Sequence, residues 1–505
     1  MSEGNPNRVG RRDLLRGGVL VGAGALLSGC SQVIRRYTAP EVPASVMLPT
    51  GDVEQIARLL HRTTFGPLPG EIARVKALGV EAYVEEQLHP GDEESLLLNL
   101  RLRGIEALHE DAMDLQNFKE SEVLEQLQQA TILRAVYSRH QLRERMVDFW
   151  SNHFNIYAHE GHHTFYKPAD EFGVVRPHVL GKFPELLNAS AHSPAMLFYL
   201  NNDANRSGVP NENYARELME LHTLGVHGGY TQKDVQEVAR CFTGWTVEGR
   251  FARRRGTFRF DASRHDDGAK TVLGTRIAPG GGEKDAQQVL ALLSQHPATA
   301  RFISRKISRY FLGDGEDKFT HKLAKIYQQT GGDLKAMLRP LLLSDELRDS
   351  PPILKRPFDY LISSLRALNA DTDGGRGVQE HLRHMGQPLY QWPMPDGYPD
   401  RTGAWTGSLL ARWNFALALA AGDVEGTSLD LPKLLQATPE ARQAQALREI
   451  VFAQHSPSPA PHFQRALNEM KSARKALRPG VEATHVITLT ENAALLVAAP
   501  EFQWR

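Results

Sequence analysis

The chain has 505 residues, 41% of them hydrophobic and 23% charged, enough for two or three domains or one large helical array. Lys plus Arg and Asp plus Glu each number 59. No net field therefore draws it to nucleic acid or to an acidic polymer, and nucleic acid is not an expected partner.

In chain order, Arg11-Arg12-Asp13-Leu14-Leu15-Arg16 is a twin-arginine pattern. The apolar run Val19–Leu27 and the tetrad Leu27-Ser28-Gly29-Cys30 follow it. Gly17–Gly29 is too short for the ~20 residues that cross a bilayer core, and suits a signal h-region. The tetrad resembles a lipobox. Residues 1–29 are therefore expected to be a twin-arginine lipoprotein signal, with Cys30 the lipidated residue. Ser31 after it points to the outer membrane, on its periplasmic side or at the surface. Cys241 would then be the single remaining thiol, with no partner for an intramolecular disulfide. Residues 30–50, rich in Pro, Ser and Thr, read as a tether.

From residue 51 onward the pattern is mainly α: a large multi-helix bundle or array, with a small β-hairpin inserted around 246–277. "VEQIARLLHRTTFG" and "PGEIARVKALGVEAYVEEQL" have helical spacing. A long helix is expected over 123–157, its second half lining up Leu142, Met146, Phe149, Trp150, His153 and Tyr157. "GKFPELLNASAHSPAMLFYLNN" predicts one or two helices. "NENYARELMELHTLG" and "GGYTQKDVQEVARCFTGW" predict an αα-hairpin, the second helix opened by a Thr231/Asp234 capping box and a Tyr230/Val235 staple. "GTFRFDA" and "KTVLGTRI" alternate like strands, and helices resume at Asp285. Residues 386–407 form a Gly/Pro/aromatic loop, and "SPSPAP" at 456–461 is the best internal boundary.

Two clusters and a motif carry candidate chemistry. On a helix over 211–224, Asn213, Arg216, Glu217 and Glu220 share one stripe, either an exposed Arg216–Glu220 ion pair or a buried set that holds a metal or acts as a base. His265, Asp266 and Lys270 gather at a turn, suited to acid–base work or to a self-bonded Asp-Gly turn. His153 and His222 lie on apolar faces, and His192 is ambiguous between core and site. His159-Glu160-x-x-His163 spells a zinc-protease motif, but Gly161 inside it and Pro168 after it disfavour the helix that zinc binding requires.

"RMVDFWSNHFNIY", "RPHVLGKFPELLNASAHSPAMLFYLNN", "NENYARELMELHTLGVHGGYTQKDVQEVARCFTGW", "HDDGAKTVLG", "HPATARFISRKISRYF", "RPFDYLISSLRAL", "MGQPLYQWPMPDGYP" and "AAPEFQWR" together resemble bacterial domain-of-unknown-function family 1800, from about Leu59 to the last residue. The resemblance implies export and a neighbouring exported, sulfatase-like partner, and no particular chemistry. It covers His153, His192, Asn211, Glu212, Asn213, Arg216, Glu217, Glu220, His265, Asp266 and Lys270, and does not include the H-E-x-x-H letters.

The leading expectation is an envelope enzyme, a metal-assisted hydrolase or a glycan-cleaving protein, with these side chains converging in one helical cleft. A divalent metal would find Glu217, Glu220 and His153. An elimination would draw on Asn213, His153, Tyr214 and Arg216. The alternatives are a non-catalytic scaffold or chaperone for a sulfatase-like partner, and a carbohydrate-binding surface presenting Tyr390, Trp392, Tyr398 and Trp405.

Overall fold

A computed structural model describes residues 53–91, 94–159, 161, 163–249, 251–252, 255–313, 317–453 and 488–505. The expected signal, Cys30, the expected tether, Glu160 and the expected boundary at 456–461 lie outside these residues. The architecture is mainly α, with three two-stranded antiparallel pairs among the described residues. No helix among them is long and apolar enough to cross a membrane.

The first helix, α1 (Val53–Thr63), appears where its spacing predicts. The next pattern divides at Gly79 into Glu71–Leu78 and Val80–Leu88. The long helix expected over 123–157 is instead two: α2 (Glu120–Tyr137) and α3 (Gln141–His153). Tertiary contacts make the break. Ser138 is extended, Arg366 Nη1 donates to the Val136 carbonyl at 2.6 Å, and Gln141 Nε2 donates to Ala135 and Ser138 carbonyls. Carbonyls drawn to side chains no longer extend the helical ladder.

Helix α3 organises the molecule. Polar Gln141, Glu144, Arg145 and His153 are buried along with Leu142, Met146, Val147, Phe149 and Trp150. Such a helix is stable only if each polar group finds a partner. Each of these four side chains bonds to another element, while Arg145 Nε and Nη2 and Trp150 Nε1 find no partner among the described residues. Glu144 takes a two-pronged ion pair from Arg176 (2.7 and 2.8 Å), and Arg145 donates to Asp359. Asp148 accepts from Arg356 and Tyr310, and Ser151 donates to Glu171 at 2.7 Å. Asn152 grips the backbone of Tyr398 from both sides, at 3.0 and 2.7 Å.

After α3 the chain forms α4 (His163–Asp170), which passes into a π-helical turn over Glu171–Val175. The segment after it gives a helix pair, α5 (Phe183–Ala191) and Pro194–Tyr199. The αα-hairpin is present as α6 (Asn213–Glu217), a second π-turn over Leu218–Thr223, and α7 (Gln232–Cys241), whose capping box is made as predicted by Thr231 and Asp234. Cys241 is a buried free thiol. The inserted hairpin resolves as two pairs. β1 (Trp245–Val247) pairs with β2 (Phe258–Phe260), and β3 (Lys270–Val272) with β4 (Thr275–Ile277). Further on come α8 (Pro297–Leu312), α9 (Pro357–Ala367), α10 (Leu409–Ala421), α11 (Glu440–Phe452) and α12 (Leu489–Ala498). One apolar core runs from Ile56 through to Ala453.

The 386–407 loop is clamped onto α2 and α3. Gln128 donates to the Leu389 carbonyl, Asn155 to those of Trp392 and Met394, and Ala158 N–H to that of Tyr390. Gly397 permits the closest approach. Its φ is +76°, and a Cβ there would lie 2.2 Å from the Asn152 carbonyl oxygen. Tyr398 and Trp405 turn inward against Leu354, so the four aromatics do not form an exposed platform.

Candidate functional site

The structure separates the residues that sequence reasoning expects in one cleft. Lys270 and His265 are fully buried around Asp285, whose Oδ2 accepts from Lys270 Nζ at 2.5 Å and faces His265 Nε2 at 3.3 Å. Asp266 is held by Arg240 in a two-pronged pair (2.8 and 3.1 Å), and Lys270 also donates to the Asp266 carbonyl. The "HDDGAK" turn is thus an internal lock between α7, β3 and the helix beginning at Lys284. His192 Nδ1 donates to the Asn188 carbonyl at 2.7 Å, and the ring packs on Trp245 and Phe258 at 4.4 and 4.5 Å.

The 211–220 stripe is also rearranged. Arg216 pairs with Glu212 at 3.0 Å and Gln232 at 2.9 Å, not with Glu220, which accepts a long bond from Tyr230. Asn211 Oδ1 caps the Asn213 N–H, and exposed Asn213 donates to the Leu200 carbonyl. The π-turn at 218–223 shifts the helical phase, so a stripe drawn at 100° per residue does not persist through Glu220. Half-buried Glu217 has its carboxyl pushed up by burial and then by Glu220, with Arg216 opposing and Asp396 adding. Among the described residues no hydrogen bond or ion pair links this stripe to His153, His192 or the His265 lock. Because Glu217 makes no hydrogen bond or ion pair among the described residues, Glu217→Gln is expected to leave thermal stability within about 0.5 kcal/mol of the parent. A loss beyond ~2 kcal/mol in calorimetry would show that the carboxylate is a structural or ligand anchor.

The donor set does not suit a metal at Glu217, Glu220 and His153. Both His153 ring nitrogens are engaged, and among the described residues no three His, Cys, Asp or Glu side chains are grouped to hold an ion. In the H-E-x-x-H stretch, Gly161 has φ +94° and helix α4 begins only at His163. Exposed His159 therefore shares no helical turn with His163.

What the structure does assemble is a cleft of about 420 Å3 between α8 and the 386–407 loop. Lys306, Arg309 and Tyr310 reach it from one face of α8, at i, i+3 and i+4. Lys306 Nζ lies 3.0 Å from His153 Nδ1, and His153 Nε2 lies 3.1 Å from the His222 carbonyl oxygen. A carbonyl only accepts, so Nε2 carries the proton and Nδ1 offers its lone pair to the Lys306 amine. Burial, then Lys306, then His222 hold the His153 imidazole well below its ordinary value, so it stays neutral. The edges of Trp150 and Phe154 fix its ring at 5.2 and 4.5 Å.

The Lys306 ammonium is itself brought down to about 8 by burial, with Asp400 and Asp396 opposing and Arg309 adding. Its proton is therefore exchangeable near neutral pH. Asp396 and Asp400 stand exposed at the mouth, the first accepting from Trp392 Nε1 at 2.9 Å, the second from Arg309 at 3.3 Å. Arg356 and Arg505 also line the cleft, beside the buried pair Arg145–Asp359.

Sequence reasoning reached His153 and His222 but not Lys306, which reads as one more cation on a basic helix. The available signal was the trio Lys306, Arg309, Tyr310 on a single face, flanked by buried Ile303, Ile307 and Phe311.

No curated protein and no solved structure matches the chain. A family model does, over residues 58–504, and the segments that build the Lys306 cleft fall almost entirely within that span. The chain belongs to the family described as protein of unknown function DUF1800.

Proposed function

We propose that this chain is an exported, lipid-anchored enzyme of the cell envelope that cleaves glycans by general acid–base chemistry in the Lys306 cleft. The amine of Lys306 accepts the substrate proton. His153, backed by the His222 carbonyl, positions that amine as a neutral acceptor and adds no charge of its own. Asp396 and Asp400 at the mouth keep the ammonium form accessible, so the lysine can return the proton near neutral pH. The observation that carries the reading is an amine brought to about 8, held by an uncharged imidazole, and open to a cleft of small-molecule size.

The second reading is a non-catalytic scaffold or chaperone for a sulfatase-like exported partner. One feature favours it: Leu410, Trp413 and Leu417 lie exposed along one side of α10 (69%, 48% and 59%).

The full-length exported protein, incubated with neutral and acidic envelope polysaccharides, decides between them. New reducing ends report hydrolysis, and ultraviolet absorbance of a conjugated double bond reports elimination. The expected result is product formation that rises with pH through a midpoint near 8 and falls at least about 100-fold in Lys306→Met. Cleavage unaffected by Lys306→Met would overturn the Lys306 site, and no cleavage of any polymer by the folded protein would leave the scaffold reading.

A further inference from the structure

Resting on the Lys306 cleft as the reaction site, we propose that Arg505 forms an oxyanion subsite in its wall, so the substrate carries a carboxylate, a sulfate ester or a phosphate ester. Five basic side chains and two acidic ones line this cleft. Four of the five are accounted for: Arg401 is exposed to solvent, and three more have partners. Arg309 pairs with Asp400, Arg356 is committed to Asp148 and Asp359, and Lys306 faces His153.

Arg505 is not. It is 8% exposed, yet its Nε and Nη1 have no hydrogen-bond partner among the described residues. Among the described residues its one side-chain hydrogen bond is a long donation from Nη2 to the Tyr310 carbonyl at 3.4 Å. The nearest carboxylate, Asp359 Oδ2, is 3.8 Å from Nε and already serves Arg356.

A buried guanidinium with idle N–H groups is costly unless something completes it, and its planar fork is shaped for the two oxygens of an oxyanion. The Tyr310 ring, 5.3 Å from the guanidinium carbon, keeps that fork in place. Arg145 adds to the deficit. It too is fully buried, and its Nε and Nη2 have no partner among the described residues. Its contacts are Asp359 and the faces of Phe65 and Tyr310. A substrate anion would supply the negative charge that this corner of the cleft lacks, in the same cavity as the Lys306 amine.

The test titrates the full-length protein by calorimetry with sodium glucuronate, sodium sulfate and sodium phosphate, each against sodium chloride at equal ionic strength. The expected result is saturable, one-to-one binding of at least one of the three. Its affinity should fall about tenfold or more in Arg505→Gln and less in Arg505→Lys, which keeps the charge but not the fork. Whichever anion binds most tightly identifies the source as a uronic acid, a sulfate ester or a phosphate ester. Far-ultraviolet circular dichroism checks that both variants are folded. Loss of one like charge beside Arg145 favours that outcome, and Arg505→Lys carries the test if the glutamine variant fails it. No binding beyond chloride, or binding that neither variant weakens, overturns the proposal. The parent protein separates this subsite from the catalytic reading: anion binding by a parent that cleaves no polymer would refute the second and leave the first standing.

Discussion

Asp359→Asn is expected to destabilise the protein by about 3–5 kcal/mol, read as a large fall in the thermal midpoint at neutral pH. Asp359 is 2% exposed and is the shared counter-charge of three guanidiniums. It accepts from Arg145 and from Arg356, and stands 3.8 Å from Arg505. It also accepts from the Arg356 backbone N–H, closing the N-terminus of α9. An amide of the same shape keeps the volume and removes the charge, leaving three buried cations to repel one another. Burial alone would raise this carboxyl, but Arg145, Arg356 and Arg505 outweigh it and hold it well below the ordinary carboxylate range. The sign follows. The contribution is fully present above the unfolded value of about 3.9, and is lost as pH falls from there through the folded value. The gap between parent and variant should hold from neutral pH to about 5 and close only in strong acid. A gap that already closes near pH 6 would mean that Asp359 is not the ionised hub.

Asp285→Asn should cost a comparable ~3–5 kcal/mol, for a related reason in a different place. Lys270 and Asp285 are both 0% exposed at their side chains, and His265 completes the group. Removing the carboxylate leaves an ammonium buried between α7 and β3. The replacement of both ends by apolar residues, Lys270→Met with Asp285→Leu, should recover much of that loss, because the double variant buries no unpaired charge. Guanidinium chloride unfolding of the single and double variants measures this. Losses that simply add, with the double variant worst of all, would show that the two side chains are not energetically coupled and that the single-variant loss is not the cost of an unpaired charge.

These networks explain how far the sequence could be read. The Thr231/Asp234 box was legible because a cap is a four-residue event. The fold class followed from helical spacing, which the core enforces along each element. The break at Ser138 was not legible, since the groups that take its carbonyls include Arg366, more than two hundred residues away. Helix α3 is the sharper case. Its Glu144, Arg145 and Asp148 look like a solvated face, but each is matched by a distant partner. The "HDDGAK" turn left catalysis and structure equally open until Asp285, fifteen residues downstream, closed onto Lys270. The expected Arg216–Glu220 pair failed because a π-turn inserts extra phase that single-sequence periodicity does not reveal. His153 was found, but its chemical partner lies 153 residues further on, and no local pattern joins them.

The most direct test of the Lys306 site is competitive acylation of the folded protein across a pH series, with each lysine's extent of modification read by mass spectrometry. The amine facing His153 should react with a midpoint near 8, well ahead of exposed lysines titrating near 10.4. A midpoint for Lys306 in the ordinary range would contradict the account, because a permanently protonated ammonium has no lone pair with which to take a proton.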